Sequence, residues 1–205
     1  MKKVTLAVVA ITCLGCAATA FAGDAGWYLF GAAGQTVNDN SKQNIDNALT
    51  SVGGRGFSSN QNKATLYNLD VGYQVNRNFA VEGGYIGSSN QTYNASGGNL
   101  GGAISSSANI SGWDLKAVGL LPVANRFSLL GKLGVADISE SVSVTGPGGT
   151  AYLNGSKTDV TYGIGAKYDF TDAFSGRFDI DRYSIGSSTD YSRTDVWTVG
   201  VAYKF

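Results

Sequence analysis

Asp195-Val-Trp-Thr-Val-Gly-Val-Ala-Tyr-Lys-Phe205 closes the chain. Trp197, Val199, Val201, Tyr203 and Phe205 share one parity; Val196, Thr198, Gly200, Ala202 and Lys204 share the other. Side chains of a strand alternate between its faces, so this stretch has one face for an apolar medium and one for small or polar surroundings. Strands of this kind, recurring at regular spacing, can close into a membrane barrel whose outer face meets lipid.

The same alternation recurs upstream. In Gly26–Gln35 both parities are apolar, with Trp27, Leu29, Gly31 and Ala33 on one and Tyr28, Phe30, Ala32 and Gly34 on the other, so its outward face is left open. Ala64–Gln74 sets Leu69, Val71 and Tyr73 against Asn68, Asp70 and Gly72, and Asn78–Gly87 sets Phe79, Val81 and Tyr85 against Ala80, Glu82 and Ile86. Val75-Asn-Arg77 joins these two tightly, as in an antiparallel hairpin. Ile110–Leu121 and Arg126–Ile138 repeat the pattern on either side of Pro122-Val-Ala-Asn125, where proline removes a ladder donor and favours a turn. Thr158–Asp169, Phe174–Gly186 and the final stretch complete eight strands.

Their connections alternate long and short. Residues 36–63, 88–109 and 139–157 read as polar excursions rich in Ser, Asn and Gly, the first with a helical turn at Asn44–Leu49 and the last holding Gly146-Pro-Gly-Gly149. The fold expected is therefore all-β, an eight-stranded antiparallel up-and-down transmembrane barrel with short periplasmic turns and long extracellular loops.

Lys2 and Lys3, an apolar run from Val4 to Cys16 and Ala20-Phe-Ala22 form the pattern of a secretory signal peptide over residues 1–22, leaving a barrel domain over 23–205. A lipoprotein signal using Cys16 is the weaker alternative, because Cys13 stands where such signals want Leu. Both cysteines fall in this leader, so the barrel has neither disulfide nor thiol nucleophile. Without Lys2 and Lys3, 13 of the 15 basic residues face 15 acidic ones, a balance near −2 that gives no reason to expect nucleic acid.

The parity that puts apolar residues outward turns Asp70, Glu82, Asp114, Asp179 and Asp181 inward with Lys116, Lys132, Lys167, Arg177 and Lys204. An eight-stranded barrel is narrow enough for side chains to fill. Five acids and five bases there are expected to pair in an interior network, with Glu82, Lys132 and Arg177 central, since unpaired buried charge is costly. With no histidine anywhere, a histidine-assisted nucleophile is impossible, and Asp179 with Asp181 is better explained as lumen packing than as a catalytic pair. No acidic spacing suggests a calcium loop, and no metal or cofactor is expected. Trp27, Trp113, Trp197, Tyr73, Phe79, Phe127, Tyr168, Phe174, Tyr203 and Phe205 fit aromatic girdles at the membrane interfaces.

Gly26-Trp-Tyr-Leu-Phe-Gly31, Phe79-Ala-Val-Glu-Gly-Gly-Tyr85, Leu130-Gly-Lys-Leu-Gly134 and Trp197–Phe205 resemble the membrane domain of the outer membrane protein A family and its small opacity-protein relatives. The resemblance implies an integral bacterial outer-membrane protein amid lipid and lipopolysaccharide. It also implies a terminal aromatic, Phe205, read by the barrel-assembly machinery, and lumen charges at Glu82, Lys132 and Arg177. The family's name-giving member continues into a peptidoglycan-binding domain that the residues here do not include, so no direct cell-wall tether is expected. The expected role is a monomeric structural protein whose surface loops, chiefly 36–63 and 88–109, serve envelope integrity or adhesion to a partner the sequence does not identify. The alternatives are a small-solute channel and, behind it, an outer-membrane enzyme.

Overall fold

In a computed structural model, residues 25–36, 41–51, 53–61, 64–186 and 191–205 are described. The leader expected over residues 1–22 lies outside them. Ten strands and one helix follow in order: β1 (Gly26–Thr36), α1 (Ser41–Ser51), β2 (Phe57–Gln61), β3 (Leu66–Asn76), β4 (Phe79–Ser88), β5 (Gln91–Gly97), β6 (Ile104–Ala124), β7 (Phe127–Gly146), β8 (Gly149–Asp169), β9 (Phe174–Gly186) and β10 (Tyr191–Lys204).

Eight of these strands form the ring. β1 pairs β3, β3 pairs β4, β4 pairs β6, and the series runs on through β7, β8, β9 and β10. Antiparallel pairing of β10 with β1, from Tyr28 opposite Lys204 to Thr36 opposite Val196, closes it. Closure satisfies the edge groups that lipid cannot hydrogen-bond. Outward positions form an apolar band, with Leu69, Leu133 and Ile164 each at least 60% exposed. In β1 burial decides the open question: Trp27 and Leu29 face out, while Tyr28 and Phe30 face the lumen.

Aromatic belts rim the band. At the end with the short turns, Trp27 meets Tyr73 at 5.1 Å, and Tyr203 meets Phe174, tilted, at 4.9 Å and Phe205, edge-on, at 5.1 Å. At the other end Tyr67, Tyr85 and Trp113 form a second belt. Amphipathic rings of this kind sit at headgroup level, which sets the span of the barrel in the membrane.

Inside, every buried charge has a glycine as a cross-strand neighbour. Asp70 and Asp114 lie opposite Gly84, Glu82 opposite Gly72, and Lys116 opposite Gly134. Lys132 and Asp181 lie opposite Gly163, Asp179 opposite Gly165, and Arg177 opposite Gly200. The space a side chain would need is taken: a Cβ on Gly163 would fall 2.0 Å from Asp181 Oδ1.

Three parts of the sequence reading need correction. Residues 36–63 and 88–109 are not simply exposed loops. Ile45, Ala48 and Leu49 share one face of α1, and β2 and β5 pair and extend the sheet beyond the membrane through β6. Residues 139–157 are not an excursion either, because β7 and β8 run on as a regular hairpin to Gly146 opposite Gly149, with Gly149 at φ 123°. Pro122 lies within β6 opposite Ser128 and is followed by a register shift, so the turn falls at Asn125-Arg126. Proline is tolerated there because the irregularity spares the missing donor.

The glycine lattice makes a sharp stability prediction. Gly163→Val places its Cβ against Asp181 and the Ile180 carbonyl and should cost about 1–3 kcal/mol or more through overpacking. Gly131→Val faces open space outward and should be near neutral. Urea unfolding of the refolded barrel in lipid vesicles compares them, and equal midpoints would refute the account.

Candidate functional site

The lumen holds a layer of charge between two layers of hydrocarbon. Below it, toward the short turns, Tyr28, Phe30, Ala80, Val118, Leu130 and Ala202 cluster; above it Leu66, Ile86, Ala136, Ile138, Tyr183 and Val196 do the same. Both clusters come from inward-parity positions of the ring strands, with β1 and β10, which carry no charge of the layer, contributing Tyr28, Phe30, Val196 and Ala202. Hydrocarbon flanks the charges on both sides, so most of their partners have to come from the protein.

Glu82, fully buried, is the hub on β4. The Arg177 guanidinium donates to both its oxygens, and the Tyr28 hydroxyl donates to its Oε1 at 2.6 Å. Arg177 also donates to Asp179 Oδ2 at 3.0 Å and stacks on Phe30, with its Cζ 3.9 Å from the ring centre. A planar guanidinium suits this forked and stacked position better than an ammonium would. Lys132 Nζ lies 3.1 Å from Asp179 and 2.7 Å from Asp181, so Asp179 bridges Arg177 and Lys132. A second group sits beside them: Lys116 Nζ lies 2.9 Å from Asp114 and 3.4 Å from Asp70. Asn68 donates to Asp70 at 2.9 Å and Tyr183 to Asp114 at 3.4 Å.

Eight of the ten inward charges read from the sequence are thus placed in this layer. The other two are not. Lys167 pairs with Asp169 at 2.8 Å near the short-turn mouth, and Lys204 lines the same open vestibule of about 860 Å³. The layer therefore sets five carboxylates against three bases, in place of the five facing five that parity suggested. Each of the four aspartates pairs through Oδ2, and its Oδ1 has no hydrogen-bond partner among the described residues. Between vestibule and charge layer lies a cavity of about 30 Å³, bounded by Tyr28, Glu82 and Arg177. That volume suits one or two water molecules.

Sequence reasoning missed the neutral members. Tyr28 and Phe30 were hidden because both faces of β1 are apolar, and Tyr183 because an inward aromatic offers no charge to pair. A further polar group lies outside the membrane. Lys42 on α1 contacts Asp46 Oδ2 at 2.5 Å and donates to Ser59 of β2 at 2.7 Å, while the Tyr93 hydroxyl of β5 donates to Asp46 Oδ1. The Lys42 ammonium, and then the Tyr93 hydroxyl, hold the Asp46 carboxyl down at about 2. Burial, reinforced by the Asp46 carboxylate, pushes the Tyr93 phenol up to about 12. Asn99 ties the strand ends together, accepting from the Arg55 amide at 2.7 Å and donating to the Gly53 carbonyl at 2.8 Å.

Phe205 donates its backbone N–H to the Trp27 carbonyl at 3.0 Å and turns its ring outward into the lower belt. Among the described residues, no group of three or more acids or other ligating side chains is placed to hold a metal.

A family model for the outer membrane protein beta-barrel domain matches residues 6–205. No curated protein matches the sequence. Among solved structures, Ail, the attachment invasion locus protein of Yersinia pestis, is 18% identical, with a TM-score of 0.53 over 89% of this chain and 99% of that one. Ail in complex with the heparin analogue sucrose octasulfate gives 16% identity and a TM-score of 0.52, over 88% and 98%. A major outer membrane protein from Thermus thermophilus is 14% identical, with a TM-score of 0.54 over 89% and 100%. Likeness at these identities is one of fold. The family match spans nearly the whole chain and agrees with the closed ring, the lipid-facing band and the paired aromatic belts. The chain belongs to the outer membrane protein beta-barrel family and is an integral protein of the outer membrane.

Proposed function

We propose that this protein is a non-conducting surface scaffold, whose barrel anchors an extracellular platform built from α1, β2, β5 and the upper parts of β6, β7 and β8. The observation that carries this reading is the cross-linked layer of Glu82, Arg177, Asp179 and Lys132, packed between two hydrocarbon layers. An ion crossing the lumen would have to break these pairs and find room where glycines already meet side chains. Beyond the membrane, investment in a helix and added strands points to the platform as the part that meets partners, in envelope integrity or adhesion. The family resemblance assigns Phe205 the role of assembly signal. Its outward ring leaves that role compatible with its place in the belt.

The opposing reading is a small-solute channel. Planar-bilayer recordings separate the two: the wild-type protein should show no steady conductance, whereas stable openings altered by Lys132→Ala would establish a channel. The same layer predicts strong coupling. Arg177→Ala strips the buried Glu82 of its ion-pair partner and should cost about 3–5 kcal/mol, Glu82→Ala leaves Arg177 paired with Asp179 and should cost less, and the double variant should cost well below the sum. Additive losses in a double-mutant cycle would show that the pair does not hold the lumen closed.

The platform has its own pH window. Asp46 sits below its ordinary value of 3.8 at about 2, so its contribution is present above about 4 and fades as pH falls toward 2. Tyr93 is raised from 10.0 to about 12, so its contribution holds below 10 and is lost as pH rises toward 12. Amide NMR signals of α1, β2 and β5 should therefore show docking between these limits. Asp46→Asn should abolish the acid transition while leaving the barrel signals in place.

A further inference from the structure

The open vestibule of about 860 Å³ at the short-turn mouth is lined by Arg77, Arg126, Lys167 and Lys204 against Asp169 and Asp172. Four bases thus face two acids there, the reverse of the charge layer above, where five carboxylates face three bases. The bases stand at two depths. Arg77 and Arg126 are exposed at the rim, on the turns that follow β3 and β6. Lys167 and Lys204 are half-buried and also border the cavity of about 30 Å³ beneath Glu82 and Arg177. Both lysines have the inward parity, so they are not anchors for lipid headgroups outside the wall.

The mouth is built to hold its shape. Asn78 Nδ2 donates to the Leu120 carbonyl at 3.1 Å, and Arg126 Nη1 donates to the Phe170 carbonyl at 3.0 Å, tying each turn to its neighbour across the rim. Within the turns, Asn76 Oδ1 accepts from the Asn78 amide at 2.8 Å and Thr171 Oγ1 accepts from the Phe174 amide at 2.9 Å. Leu120, Pro122 and Val123 give the vestibule an apolar wall, while Gln74, Asn125 and Ser128 bring amide and hydroxyl groups to it. A pre-shaped concavity of this size, with an apolar wall and converging polar groups, has the form of a ligand pocket. Closing the lumen does not require it, because the charge layer and its two hydrocarbon layers already do so.

We propose that the vestibule docks an extended, carboxylate-bearing peptide segment presented from the periplasm. Charge complementarity sets the sign of the ligand. Two depths of base call for more than one carboxylate along the segment, one between the lysines and another at the rim, where forked guanidiniums match carboxylate geometry. The amides and hydroxyls can pair with peptide N–H and C=O groups, and the apolar wall can take side chains; a lone inorganic anion would use neither. The surplus of acids in the charge layer repels an anion from moving deeper, so the segment stops at the mouth. This site goes beyond the scaffold reading: it gives the barrel a partner on the side opposite the extracellular platform, whether or not the lumen conducts.

The test uses the refolded barrel in zwitterionic phospholipid nanodiscs and a fluorescently labelled hexapeptide of alternating glutamate and alanine, with its glutamine counterpart as control and inorganic phosphate as competitor. Anisotropy should rise saturably with the glutamate peptide alone, and affinity should fall as salt rises. Lys167→Gln/Lys204→Gln should weaken binding about tenfold through lost charge-assisted contacts. Asp172→Asn removes an opposing charge at the rim and should tighten binding about twofold, a gain that misfolding cannot produce. Amide shifts on binding should concentrate at residues 74–77, 122–128 and 167–172. Absence of saturable binding at millimolar peptide, equal binding of the glutamine peptide, displacement by phosphate at equal concentration, or unchanged affinity in the lysine variant would each overturn the proposal.

Discussion

The rest of this structure depends on one constraint: charge placed in a narrow lumen, between hydrocarbon layers, must be paired by the protein. Tyr28, Phe30 and Leu130 close the space below, and Leu66, Ile138 and Val196 close it above. Between them Glu82 is out of contact with bulk solvent, and Arg177 and Tyr28 supply its donors. The interaction is long-range in sequence, joining β1, β4 and β9, and it exists only when the sheet has closed. Such a layer is weak evidence for gross stability, because desolvation offsets much of the attraction. What it specifies is register. A one-residue slip of β4 or β9 would turn Glu82 or Arg177 toward lipid.

Glycine is the other half of that constraint. Large inward side chains from eight strands cannot all lie at one level unless their neighbours are small. Gly72 makes room for the Tyr28 ring, Gly84 for the Asp70 carboxyl, and Gly163 and Gly165 for Asp181 and Asp179. Glycine inside a strand ordinarily weakens it. Here the loss is local, while the filled lumen spans all eight strands.

Alternation made the transmembrane part legible, because lipid and lumen differ enough for apolar and polar residues to sort by parity. It failed where that contrast failed. In β1 both faces are apolar, since Tyr28 and Phe30 pack inward while Trp27 and Leu29 meet lipid. Parity also reports a face and not a depth. Lys167 and Lys204 have the inward parity of Lys132, yet they lie at the mouth, where Lys167 finds Asp169. Depth depends on shear and tilt around the whole ring, which no single strand encodes.

The strands beyond the membrane were missed for a related reason. Ser139-Glu-Ser-Val-Ser-Val-Thr145 alternates as strictly as any membrane strand, but its contrast is between hydroxyl and everything else. A reading keyed to hydrophobicity takes it for a polar loop. The physical reason for the pattern is that the same wall crosses three surroundings. Leu133 and Val135 face acyl chains, Trp113 and Asp137 mark the rim, and Ser139 through Thr145 face the layer above. The inner face of the wall changes as well: above the charge layer Ile110 packs on the upper hydrocarbon cluster, and farther up Val142 and Val144 share the face with Glu140, Lys157 and Asp159. Outward chemistry thus follows the medium at each height and inward chemistry follows what must be packed, and a continuous strand has to satisfy both at every second residue.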